Sequence, residues 1–127
     1  MKGHSILIAS QRSHFREDLR DILVSDGHTV QTAIDGLEAL DIIRYNCPHL
    51  IVTDLVLPRM DGIELVANAK DLQKHVRIIV FSLACPRERE EMLRKMGVQR
   101  VEHPETPEQA KQLIEQVLRE ASIGYSR

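Results

Sequence analysis

"PHLIVTDLVLPRMDGIELV", residues 48–66, holds a strand, a loop and the start of a helix in one short unit. Leu50 to Thr53 is an unbroken run of aliphatic and β-branched residues that stops at Asp54. A strand covered on both faces needs such a run, whereas a half-solvated strand would alternate apolar and polar positions. Pro58 and Gly62 then punctuate a tight loop, and Ile63 and Val66 open the apolar stripe of a helix. Asp54 therefore falls at the mouth of a buried strand. A carboxylate there loses hydration, so it needs a hydrogen-bonding or chemical reason to be present.

The same unit recurs on either side. Ser5–Ala9, Thr29–Ala33, Arg77–Ser82 and a weaker Arg100–Glu102 read as strands. Between them Phe15, Leu19, Ile22 and Leu23 share one helical face, as do Leu37, Leu40 and Ile43. The final helix carries Ala110, Leu113, Ile114, Val117, Leu118 and Ala121 in one stripe. Its start, Thr106-Pro107-Glu108-Gln109, is a capping-box pattern with proline at the first helical position. Asp35-Gly36-Leu37-Glu38 is a similar cap. Strict β–α alternation predicts a parallel sheet with helices on both faces. Five strands in a chain of this length suit an α/β, flavodoxin-like three-layer sandwich of order 2-1-3-4-5, with five helices. Ligands of such folds bind outside the carboxyl ends of the strands. Those ends are Ser10-Gln11, Asp54, Ser82 and His103-Pro104.

The chain has 127 residues, which predicts a single domain over 1–127 with a core from about 4 to 121 and no effector domain. Seventeen Lys and Arg against nineteen Asp and Glu leave a net charge of -2, which argues against overall attraction to nucleic acid or membrane. Cys47 and Cys85 fit neither a CxxC pair nor a zinc spacing and read as reduced thiols. No apolar run approaches the roughly 18 residues of a membrane span, and no signal peptide is visible, so a cytoplasmic location is expected.

With these residues in view, the chain resembles the receiver (response-regulator, chemotaxis-type) domain of two-component signalling, a CheY-like fold. The resemblance runs from residue 4 to about 121. Its most specific part is the opening stretch, and "DGHTVQTAIDGLEAL" is similar to the second strand and helix of a receiver. It implies that Asp54 stands at the phosphoacceptor position, Ser82 at the switch hydroxyl, and Pro104 after the active-site lysine position. In the family, an aspartate takes a phosphoryl group from a phosphohistidine or small phosphodonor while Mg²⁺, held by carboxylates, neutralises the phosphoryl oxygens. The switch hydroxyl then biases a surface on helix four, strand five and helix five.

This chain departs from that pattern at both electrostatic devices. Ser10 and Gln11 occupy the acidic-pair positions, so Asp54 is the one carboxylate left for a metal, and Mg²⁺ binding is expected to be weak or absent. His103 stands at the lysine position, and a neutral imidazole carries no fixed charge near pH 7. Leu83 follows Ser82 where the family has a small residue, which is expected to narrow access to Asp54. The resulting expectation is a stand-alone, non-enzymatic, atypical receiver in phosphorelay signalling that acts by protein docking, with Asp54 held by Ser10, Gln11, Ser82 or His103. The alternative is a working phosphoacceptor at Asp54 served by a histidine kinase or phosphotransfer protein. A partner, or a second copy of the chain, would dock on the face from "PRERE" to "EHPETPEQA", where "CPREREEMLRKMG" otherwise reads as a solvated helix. A flavin or nucleotide binder lacks GxGxxG, P-loop and aromatic clamp, with aromatics at 3% of the chain. An enzyme using Ser82 and His103 lacks a nucleophile elbow.

Overall fold

In the computed structural model, which describes residues 3–125 and side chains up to residue 120, strands and helices alternate along the whole chain. The elements are β1 (Ser5–Ala9), α1 (Ser13–Ser25), β2 (Thr29–Ala33), α2 (Gly36–Asn46), β3 (Leu50–Asp54), α3 (Gly62–Leu72), β4 (Arg77–Phe81), α4 (Arg87–Lys95), β5 (Arg100–Glu102) and α5 (Pro107–Tyr125). All strand pairs are parallel, in the order β2-β1-β3-β4-β5.

The period of two along each strand divides the core into two halves. Ile6 and Ile8 of β1, Leu50 and Val52 of β3, and Ile79 and Phe81 of β4 pack with α1 and α5. Leu7 and Ala9, Ile51, Ile78 and Val80 face the other way, onto α2, α3 and α4. A continuous apolar run is what this double coverage requires, and β3 is buried at every position. α4 is the thinnest attachment, for Leu93 is its one buried residue.

The caps match the sequence patterns. Asp35 Oδ1 accepts from the Glu38 amide at 2.8 Å, and Thr106 Oγ1 accepts from the Gln109 amide at 3.1 Å. Gln109 reaches back to the Glu105 amide, one residue before the cap. Two expectations are adjusted, and a third lies beyond the described side chains. β4 ends at Phe81, with the Ser82 amide bonding the Glu102 carbonyl just beyond it. On α2, Ala39 takes the inward position beside Leu40 and Ile43, while Leu37 is 40% exposed. The side chain of Ala121 falls outside the described residues.

The loop from β3 to α3 is tied to the start of α2. Leu55, Leu57 and Met60 are buried, and the Gly62 amide donates to the Leu55 carbonyl at 2.8 Å. Arg59 adopts a left-handed φ of 66° and its Nε donates to Asp35 Oδ2 at 2.9 Å. That guanidinium, with the Glu38 amide, holds the Asp35 carboxyl below the usual carboxylate range. The loop is thereby pinned from both sides next to Asp54.

Candidate functional site

The register that aligns Ala9 with Thr53 brings Ser10 beside Asp54 at the carboxyl ends of adjoining strands. Both are buried, Ser10 at 1% exposure and Asp54 at 8%. Ser10 Oγ donates to Asp54 Oδ2 at 2.7 Å and accepts from the Arg12 amide at 3.1 Å. The same hydroxyl therefore ties the carboxylate to the first turn of α1. Thr53 Oγ1 donates to the Asp54 carbonyl at 2.9 Å.

The second carboxylate oxygen meets a cation. Arg12 Nη2 lies 3.2 Å from Asp54 Oδ1. The guanidinium is seated over the Phe15 ring, 4.0 Å from its centroid, and Phe15 in turn meets Phe81 edge-on at 6.0 Å. A cation over an aromatic face is attracted by the ring quadrupole, so Phe15 acts as a platform that aims Arg12 at Asp54. Arg16, one turn on and 9% exposed, donates from Nη1 to the Ser10 carbonyl at 2.8 Å and fixes the strand end. Arg12, Phe15 and Arg16 thus belong to the surroundings of Asp54, a placement that no sequence pattern singled out.

Several of the remaining predicted residues line the space beside this pair. Gln11, Ser82, Leu83 and His103 line an open cleft of about 320 Å³ together with Arg12, Asp54 and Phe81. Among the described residues the bonds to Asp54 come from Ser10 and Arg12, and none comes from Gln11, Ser82 or His103. Of the four holders expected for Asp54, Ser10 is the one the structure supplies. His103 is exposed, Pro104 is buried, and the peptide between them is trans. Leu83 stands 78% exposed on the rim, so it borders the cleft instead of sealing it.

The sequence model of the response regulator receiver domain matches residues 6–117. The chain belongs to the response regulator receiver family. The response regulator MprA of Mycobacterium sp. (strain KMS) is 36% identical over 77 residues, which are 61% of this chain and 34% of that protein. Sporulation initiation phosphotransferase F of Bacillus subtilis (strain 168) is 32% identical over 82 residues, 65% of this chain and 66% of that one. The chain thus spans about a third of the length of the MprA relatives and just under two thirds of the phosphotransferase. Among solved structures, a CheY-like receiver domain protein from Methanospirillum hungatei JF-1 superposes with a TM-score of 0.87 at 23% identity, covering 97% of this chain and 99% of that one. NtrX from Brucella abortus gives 0.85 at 23% identity, over 98% of this chain and 29% of that one. These likenesses confirm the receiver fold in the order 2-1-3-4-5, and the family places the chain in two-component phosphorelay signalling. Among the described residues no helix is long and apolar enough to cross a membrane.

Proposed function

We propose that this receiver signals by docking to a protein partner, with Mg²⁺-dependent phosphorylation of Asp54 impaired. The observation that carries this reading is the pairing of both Asp54 oxygens, with the Ser10 hydroxyl on one and the Arg12 guanidinium on the other. A magnesium site does not fit these residues. Mg²⁺ takes hard oxygen ligands in near-octahedral order and usually keeps one or two carboxylates together with phosphate and water. Here one carboxylate is available, its neighbour Ser10 is already bonded to it, and a positive charge stands 3.2 Å away. Carboxylates clustered without a cation repel one another, and the reduction to one removes that strain from the unmodified state.

Docking falls on α4, β5 and the start of α5. Arg87 pairs with Glu91 and Arg94 with Glu90 along α4, which leaves a charged, balanced face around the single buried Leu93. A histidine kinase, a phosphotransfer protein, a downstream target or a second copy of the chain are the partners that suit a receiver, and the reading gives this chain no enzymatic role, metal or cofactor of its own.

A second reading keeps Asp54 as a phosphoacceptor. It is favoured by the open cleft over the carboxylate and by Arg12, whose guanidinium matches the geometry of phosphoryl oxygens. Intact-mass analysis after incubation with acetyl phosphate and Mg²⁺ separates the two. The docking reading expects no phosphoryl adduct; an adduct that disappears in Asp54→Asn establishes the second reading.

A further inference from the structure

At the end of the sheet away from Asp54, three neighbouring strands are each preceded by a histidine. His28 precedes β2, His4 precedes β1 and His49 precedes β3, while β4 opens on Arg77. Parallel register sets them side by side, for Ser5 aligns with Thr29, Ile6 with Leu50, and Leu50 with Arg77. The His4 ring lies 5.7 Å from that of His28 and 5.7 Å from that of His49. His28 Nδ1 accepts from the His4 amide and His49 Nδ1 from the Ser5 amide, each at 3.0 Å. Both rings therefore keep their proton on Nε2.

Beneath this row opens a cleft of about 490 Å³, lined by His4, His49, Gln73, Lys74, His75 and Arg77 among others. Among the described residues no Asp or Glu lines it. Two polar atoms of these residues, His4 Nδ1 and Gln73 Oε1, are buried without a hydrogen-bond partner. A half-turn of the Gln73 amide exchanges its oxygen for NH₂, and a proton on His4 Nδ1 makes that atom a donor too. Unpaired buried polar atoms are costly, and a small shift of these two side chains as a ligand enters the cleft would relieve that cost. A metal is the poorer match, because among the described residues no three His, Cys, Asp or Glu side chains converge as ligands. Lys70 of α3 is committed to the carbonyl of Val76, a lining residue, at 2.7 Å, and Leu118 of α5 lines the cleft with an apolar side chain.

We infer that this cleft is a binding site for a phosphate group, free or carried by a small molecule, held by His4, His49, Gln73, Lys74 and His75. Charge-assisted bonds from ammonium and imidazolium suit phosphate oxygens, and the cleft volume falls in the range of small-molecule pockets. Burial and the like charges of His28, His49 and Arg77 hold the His4 imidazole below its ordinary value, and an anion in the cleft would offset the repulsion. A proton gained by His4 should therefore strengthen binding, so affinity should rise as pH falls.

Amide NMR titrations with inorganic phosphate, adenosine monophosphate and adenosine test the site. The expected result is saturable shifts at residues 4, 49 and 73–77 with either phosphate compound and none with adenosine. Tighter binding of the nucleotide assigns the phosphate to a carrier; equal binding assigns it to free phosphate. Lys74 and His75 are exposed and form no side-chain hydrogen bond among the described residues, so Lys74→Gln with His75→Gln should fold normally and weaken binding about tenfold or more. Absence of saturable shifts up to about 10 mM phosphate, equal response to adenosine, or unchanged affinity in the double variant would overturn the assignment. The cleft is at the opposite end of the strands from Asp54, so that failure would leave the docking reading standing.

Discussion

Ser10 Oγ and Asp54 Oδ2 are joined by a buried 2.7 Å hydrogen bond that links the carboxyl ends of β1 and β3. Replacing the donor leaves a buried carboxylate oxygen without its partner, the expensive half of a hydrogen-bond deletion. Ser10→Ala should lower stability by about 1–3 kcal/mol in urea melts, with the m-value unchanged. It should also broaden the amide resonances of Arg12, whose N–H bonds the same hydroxyl.

Restoring carboxylates at the strand-one end should restore a metal site. Ser10→Asp with Gln11→Asp places two more negative charges beside Asp54, against one guanidinium. Without cation this variant should melt at a lower temperature than the parent, because clustered carboxylates repel. Added Mg²⁺ should recover the loss and bind saturably in calorimetry, while the parent melt should not respond to Mg²⁺.

Gly62 sits where the chain turns from the site into α3. A Cβ there would lie 2.5 Å from the Asp54 carbonyl oxygen and 2.8 Å from Leu55 Cα, both backbone atoms that cannot swing away. Gly62→Ala should cost about 2 kcal/mol or more and shift the Asp54 and Leu55 amides, measured by denaturant melts and NMR.

Asp35 and Arg59 tie the loop after β3 to α2. The folded-state Asp35 carboxyl titrates below its ordinary value of 3.8 because Arg59 and the Glu38 amide favour the ionised form. Its contribution is therefore fully present above the unfolded value and is lost as pH falls through the lowered one. In a pH series of urea melts, Asp35→Asn should be less stable than the parent near neutrality, and the gap should close below about pH 4.

Much of this was legible before any coordinates. Continuous apolar runs and helical stripes gave the alternation, and alternation with right-handed crossovers leaves few sheet orders. Placing Ser10 beside Asp54 followed from the order of β1 and β3 alone. Arg12 was not legible, because its role depends on three things that pattern does not encode. Its backbone must cap α1, its guanidinium must lie on Phe15, and Phe15 must meet Phe81 on a strand far away in sequence. The one local signal was Arg12 with Phe15 three positions on, a spacing that places side chains on one helical face. Leu83 lines the cleft and is also largely exposed, and sequence alone does not show this double exposure for a residue just past a strand end. The histidines before β1, β2 and β3 were visible singly, and only the register shows that they form a row.

On the proposed function, Asp54 is held from within by Ser10 and Arg12 and does not take a metal-bound phosphoryl group. An amide NMR titration with beryllofluoride and Mg²⁺, which together mimic the phosphorylated aspartate, tests it most directly. No saturable shift is expected at Asp54, Ser82 or the residues of α4. Saturable shifts there that require Mg²⁺ and vanish in Asp54→Asn would contradict it.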